Sequence, residues 1–277
     1  MSMVEKRFIP IALVLCLALG WGQAAPAQEI VRISGTGAGV ALMAPLVEVF
    51  EKENKGIKVH LEKSLGSTAS IKATVKSALD LAISGRPLKP AESAEGLVQL
   101  EYGKSPFVVV THAGTKQSNI SLKEVIDMYS GKIPKWPNGD YVRVVLRPNE
   151  DVDTKLVRAI SPDMDMAVTA AQSRKDMLLA ITDNEGFDAL KRTPGTIAFL
   201  ALTLPLSQPG SVKVLRLDGM QGSVATLAGG KYPYVKPLYL VTRKESSAAT
   251  EKFVKFLYSK KGKSLAVRHG LLPTGIK

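Results

Sequence analysis

The 277-residue sequence predicts an α/β fold in which helices flank a largely parallel sheet. Two observations carry this. Strand, small-residue turn, helix and strand follow one another through the first third of the chain, which is the rhythm of a parallel α/β layer. Further on, Pro106-Phe107-Val108-Val109-Val110-Thr111 is an unbroken apolar run of the kind that a parallel sheet buries on both faces.

The elements follow in order. Ile30 to Ser34 reads as a strand, Gly35-Thr36-Gly37-Ala38-Gly39 as a tight turn, and Val40 to Lys52 as an amphipathic helix. Leu42, Leu46, Val49 and Phe50 recur there at helical spacing. Pro45 falls about one turn in, where proline does less harm than deeper in a helix. Ile57 to Leu61 alternates as a strand, Ser64-Leu65-Gly66-Ser67-Thr68 is a second small-residue turn, and a helix runs through Ile71, Val75 and Ala78. Leu79 to Ser84 is the third strand. Ser121-Leu122-Lys123-Glu124 is a capping box opening a helix over Leu122 to Tyr129, which Gly131 closes. Ile133 to Pro137 is a stiff loop, and Val142 to Leu146 is a strand ending at Arg147-Pro148. Pro162 to Ile181 reads as one helix; Ile197 to Leu200, Val212 to Leu217 and Tyr239 to Thr242 read as strands. Ser247 to Ser264 reads as a single Lys-rich helix with Phe253, Phe256 and Leu257 on one face. No internal repeat or low-complexity linker interrupts the series.

The N-terminus reads as an export signal. Lys6 and Arg7 precede an apolar run from Phe8 to Gly20, and Ala25-Pro26-Ala27 fits the small-x-small cleavage rule. The run is short of the roughly 20 residues that span a bilayer, though an uncleaved anchor is the alternative. The only cysteine, Cys16, lies inside this run behind Leu13-Val14-Leu15, which does not suit lipidation. Cleavage after Ala27 leaves 250 residues without cysteine, hence no disulfide framework and no thiol nucleophile. His60, His112 and His269 are too scattered for a zinc site, and no metal or cofactor is expected.

The processed chain carries a net charge of +11, a field that attracts anions. Its lysines are dispersed without aromatic interleaving, which argues against a nucleic-acid partner. Enzyme signatures are missing. The Gly-x-Gly-x-Gly at Gly35 has Val40 where a dinucleotide fingerprint needs glycine. The two Gly-Lys-Ser triplets, at Gly103 and Gly262, follow Val98 and Leu257 where a P-loop needs glycine. Neither a Gly-x-Ser-x-Gly elbow nor a His-Glu-x-x-His pair occurs.

Small hydroxyl and glycine residues recur instead where strands turn into helices. Thr36 to Gly39 and Ser67-Thr68 place free N–H groups and hydroxyls at helix N-termini, suited either to capping or to binding an anion. Ser84-Gly85-Arg86 follows the third strand, where open α/β sheets bind ligands. Arg147, just after another strand, serves either as a salt-bridging surface residue or as a bidentate anion clamp.

On these residues the chain resembles the phosphate-type substrate-binding proteins of ABC transporters. Gly35 to Gly39 with Ala44-Pro45-Leu46 is similar to that family's first binding loop, Ser64 to Ile71 to its second, and Asp80 to Leu88 to its third. The segment Leu122 to Trp136, around Tyr129-Ser130-Gly131-Lys132-Ile133, is the most specific likeness. The resemblance implies a two-lobed periplasmic binding fold of type II, with two crossovers. Lobe one would comprise residues 28–111 and 236–277, and lobe two residues 112–235. It also implies a monomeric periplasmic receptor, not an enzyme, that takes phosphate or a similar oxyanion and delivers it to an inner-membrane ABC permease. Thr36, Gly37, Ala38, Ser67 and Ser84 would face the ligand from lobe one and Arg147 from lobe two. Two departures stand out. Gly85, beside Arg86, falls where the family has an aspartate, and Glu150-Asp151-Val152-Asp153-Thr154 replaces a small Gly-Ser-Gly-Thr segment. The acidic replacement either neutralises Arg147 or points to solvent. It also admits a second reading, a sensory or interaction protein that has kept the fold and lost or changed anion binding.

Overall fold

The computed structural model describes residues 28–274, so the signal segment and Cys16 lie outside the described residues. The first half opens with β1 (Glu29–Gly35), α1 (Gly37–Glu53), β2 (Ile57–Leu61), α2 (Gly66–Val75), β3 (Leu81–Ser84) and the short α3 (Pro90–Ala94). The chain then enters β4 (Leu97–His112), a strand of 16 residues. Next come β5 (Asn119–Ile120), α4 (Leu122–Ser130), β6 (Arg143–Leu146), α5 (Val152–Arg158), α6 (Pro162–Gln172), β7 (Leu178–Leu179) and α7 (Asp183–Arg192). They are followed by β8 (Thr196–Ala201), α8 (Thr203–Ser207), β9 (Val212–Val214), β10 (Arg216–Leu217) and α9 (Val224–Ala228). The chain returns along β11 (Val235–Arg243) and ends with α10 (Ala248–Tyr258), α11 (Lys260–Arg268) and β12 (Leu272–Pro273).

One long strand organises the molecule. The main sheet runs β2-β1-β3-β11-β4-β8-β6-β7, and β4 changes partners along its length. Its residues up to Pro106 pair with β11, while Phe107 to Thr111 pair with β8. Since Val235 of β11 pairs with Pro106, both passages between the halves lie side by side. The apolar run that marked a strand in the sequence is only the second half of β4, which begins at Leu97. Pairing is parallel at the ends (β1 with β2 and β3, β6 with β7 and β8) and antiparallel where β4 and β11 run through the middle.

Each half closes its own core. Val31, Ile33, Leu42, Leu46 and Phe50 pack with Leu238, Leu240, Phe253 and Leu257. Phe107 to Val110 pack with Met128, Trp136, Val144, Phe187 and Phe199. Burial of such side chains supplies roughly 1.5–3 kcal/mol apiece and fixes which face each element presents.

Most expected elements form within one to three residues of their expected bounds; the helix α1 starts at Gly37 and α2 at Gly66, absorbing parts of both small-residue turns. At α4 the Ser121 hydroxyl accepts from Glu124 N at 3.1 Å, the Glu124 carboxylate accepts from Ser121 N at 2.8 Å, and Gly131 sits at φ 85°, the left-handed cap that suits glycine. Two long helices are corrected. The run from Pro162 to Ile181 stops at Gln172, and Leu178-Leu179 goes into a strand beside β6 instead. The polar stretch Arg174-Lys175-Asp176 supplies no apolar face there, and Arg174 turns aside to pair with Asp176 at 2.9 Å. The C-terminal helix is two helices. Ser259 adopts an extended conformation and its hydroxyl caps the second one through Gly262 N at 3.1 Å, so the break has its own signal.

Candidate functional site

A cavity of about 290 Å³ opens between the two halves, lined by Thr36, Ser67, Thr68, Lys72, Arg147, Asp151, Asp183 and Lys236 among others. One side of it is built from helix N-termini. Thr36 and Ala38 stand at the N-terminus of the 17-residue α1, directly after β1. Ser67 and Thr68 stand in the first turn of α2. Ser67 Oγ accepts from Gly85 N at 2.9 Å, which leaves its own proton free.

Arg147 follows β6 from the opposite half with its side chain 9% exposed. Its Nη2 lies 2.7 Å from Asp151 Oδ2 and 3.2 Å from Asp183 Oδ1. Nε and Nη1 are buried without a partner. A buried guanidinium with idle donors is costly unless something satisfies them.

The acidic segment divides its work. Glu150 points to solvent, 93% exposed, beside Lys155. Asp151 caps α5 through Asp153 N at 2.9 Å and pairs with Arg147. Asp153 turns inward, 2% exposed, with Lys236 Nζ 2.5 Å from its Oδ1. Apart from Lys236, neither Asp153 oxygen has a hydrogen-bond partner, so that ion pair is its compensation. Both expectations for this segment therefore hold at different residues.

Asp183 and Lys236 were not anticipated. Asp183 begins α7, where Thr182 supplies the cap, and it is 3% exposed. Its Oδ2 accepts from Thr36 Oγ1 at 2.5 Å, from Ala38 N at 3.0 Å and from Lys236 Nζ at 3.1 Å. A signal for Lys236 existed. It shares the parity of Leu238 and Leu240, which both face the core, so alternation in β11 alone directs it inward.

Charge coupling follows from this packing. Burial pushes the Asp153 carboxyl up to about 7, against the pull of Lys236 and with the repulsion of Asp183 and Asp151. Burial would also raise Asp183, but Lys236, Arg147 and the Thr36 and Ala38 hydrogen bonds hold it well below the usual carboxylate range. Burial would lower Lys236, yet Asp153 and Asp183 hold it above the usual lysine value. Ligand atoms of three carboxylates, of Asp151, Asp153 and Asp183, come within 4.8 Å of one another, and two cations serve them: the Lys236 ammonium against Asp153 and Asp183, and the Arg147 guanidinium against Asp151 and Asp183.

The remaining expected residues sit as follows. Gly37 lets α7 approach, since a Cβ there would lie 2.2 Å from Asn184 Oδ1 and 2.7 Å from Asp183 Cβ. Ser84 Oγ donates to Arg86 O at 2.6 Å and does not line the cavity. Arg86 does not line it either: its guanidinium is held by both Glu92 oxygens at 2.7 and 2.8 Å and lies behind Thr68, donating to that residue's Oγ1 at 3.3 Å. Gly85 borders Lys236, whose Cε would lie 3.1 Å from an added Cβ. The site therefore gathers Thr36, Ala38, Ser67, Thr68 and Arg147, while Ser84 is engaged by the Arg86 backbone and the Arg86 side chain by Glu92 and Thr68.

Two α/β halves joined by paired strands, with helix N-termini and a buried arginine facing across a cleft, define a two-lobed solute-binding architecture. The chain belongs to the PBP superfamily, whose domain model matches residues 22–261. It is 21% identical over 257 residues to the phosphate-binding protein PstS of Borreliella burgdorferi, covering 90% of this chain and 91% of that one. To PstS of Bacillus subtilis it is 22% identical over 252 residues, 89% of this chain and 81% of the other. Among solved structures it resembles a substrate-binding protein assigned to phosphate ABC transport, from Clostridium perfringens, with bound phosphate. That likeness has a TM-score of 0.73 at 18% identity and covers 89% of this chain and 100% of that one. Among the described residues, no helix is long and apolar enough to cross a membrane.

Proposed function

We propose that this protein is a secreted receptor that binds a small oxyanion, phosphate first, between its two halves and hands it to an ABC permease. The observation that carries this reading is the convergence of the Thr36 hydroxyl, the Ala38 N–H, Lys236 and Arg147 on one carboxylate. That donor set, drawn from both sides of a cleft, is complementary to an oxyanion. Ser67 and Thr68, with the idle Nε and Nη1 of Arg147, add the donors that a tetrahedral anion needs beyond a carboxylate's two oxygens. The PstS relatives, named as phosphate-binding, favour phosphate among oxyanions.

In this reading the halves on either side of the Pro106–Phe107 and Val235 passages are lobes that hinge as the ligand enters and leaves. Residues 1–27 are removed on export, and the receptor works as a monomer in the periplasm. Calorimetry with phosphate, sulfate, molybdate and small carboxylates tests the assignment. Phosphate should bind with the largest affinity. If no anion binds at millimolar concentration, the sensory reading replaces it, and the buried pairing of Arg147 with Asp151 and Asp183 is the feature that favours that reading.

A further inference from the structure

The seat between the halves is already filled, and by the protein itself. Asp183 belongs to the half that carries Arg147. Its Oδ2 nevertheless takes three donors from the other half: Thr36 Oγ1 at 2.5 Å, Ala38 N at 3.0 Å and Lys236 Nζ at 3.1 Å. Its Oδ1 lies 3.2 Å from Arg147 Nη2. These are the donors a free anion would use. The approach is built into the backbone, because only glycine at position 37 leaves room for Asp183 and Asn184. Thr203 Oγ1 crosses the same gap to Ala38 O at 2.9 Å.

We propose that Asp183 is an intramolecular counter-ligand, whose carboxylate occupies the oxyanion seat, holds the two halves together, and must be displaced by any anion that enters. The inference rests on reading the cleft as an anion-receptor site, and it assigns Asp183 the role of setting affinity and selectivity there. A tethered carboxylate acts at an effective concentration in the millimolar range or above. A free monocarboxylate offers the seat nothing that Asp183 does not, so it is excluded. A tetrahedral dianion brings more charge and further oxygens for Arg147 Nε and Nη1, which have no partner, and for Ser67. It can therefore displace Asp183 where acetate cannot. Its apparent affinity is reduced by the fraction of molecules in which Asp183 holds the seat.

Asp183→Ala tests this with inorganic phosphate and acetate as probes, read by calorimetry and small-angle scattering. The ligand-free variant should have a larger radius of gyration than ligand-free wild type. Millimolar acetate, inert towards wild type, should bind the variant and restore the compact radius. Phosphate should bind the variant at least about tenfold more tightly than wild type. A variant with the wild-type radius and no response to acetate overturns the proposal. So does weaker phosphate binding in the variant than in a wild type that binds it, since Asp183 would then help to hold the ligand. If phosphate binds neither protein while acetate still compacts the variant, the counter-ligand stands and the phosphate assignment falls. Asp183→Asn, close in size and uncharged, carries the same scattering and phosphate measurements should the alanine variant fail to fold.

Discussion

Lys236 Nζ lies 2.5 Å from Asp153 Oδ1, with the lysine 1% and the aspartate 3% exposed at the side chain. The lysine comes from the returning strand β11 and the aspartate from α5 of the opposite half, so this buried ion pair joins the halves. Breaking such a pair leaves an uncompensated buried charge and costs about 3–5 kcal/mol. Lys236→Met should therefore lower unfolding stability by about that amount in urea titrations at pH 8, where Asp153 and Asp183 are both ionised and lose their shared cation. Adding Asp153→Leu to it should recover part of the loss. A cost under about 1 kcal/mol would mean that the cluster is solvated.

The pH dependence has a definite sign. Burial lifts the Asp153 carboxyl to about 7 in the folded protein, against about 3.9 in an unfolded chain. Between those values the folded state keeps a proton that the unfolded state has lost, so the Asp153 contribution to stability falls as pH rises from about 4 to about 7. Asp183 acts oppositely. Held below its ordinary value, it contributes stability above about pH 4 that is lost as pH falls further. Asp153→Asn should thus gain stability relative to wild type between pH 4.5 and 7, with no further change at pH 8. A difference independent of pH would show that Asp153 titrates normally.

Arg147 and Arg86 should separate cleanly in binding. A hydrogen bond to a charged group is worth roughly 1.5–3 kcal/mol, so Arg147→Ala should weaken phosphate about 10–100-fold in calorimetry. Arg86 is committed to Glu92 outside the cavity, and Arg86→Ala should change the affinity by no more than about twofold. A large effect at Arg86 would mean that it leaves Glu92 when ligand arrives.

Export should leave a protein that begins at Gln28. Intact-mass measurement on the secreted form checks this, and a retained Met1 or a lipid adduct on Cys16 would refute cleavage after Ala27.

The sequence alone determined what depends on neighbours along the chain. The β1, β2 and β3 strands with their small-residue turns, the Ser121 capping box and its Gly131 stop, and the apolar half of β4 are written in local patterning, because helix and strand periods and cap chemistry act over a few residues. Thr36, Ala38, Ser67, Thr68 and Arg147 were legible for the same reason, each sitting just beyond a strand or in a helix's first turn. Only the tertiary structure decided what those donors hold. Asp183 lies 147 positions from Thr36 and Lys236 lies 53 from Asp183, separations at which no periodicity carries information. The inward parity of Lys236 could be read in β11, but the partner that makes a buried lysine tolerable could not. Whether Arg86 or Arg147 faces the cleft was likewise undecidable locally, since both follow strands. The choice fell to Glu92, which holds one guanidinium outside the cavity, and to the packing of two halves that buried the other.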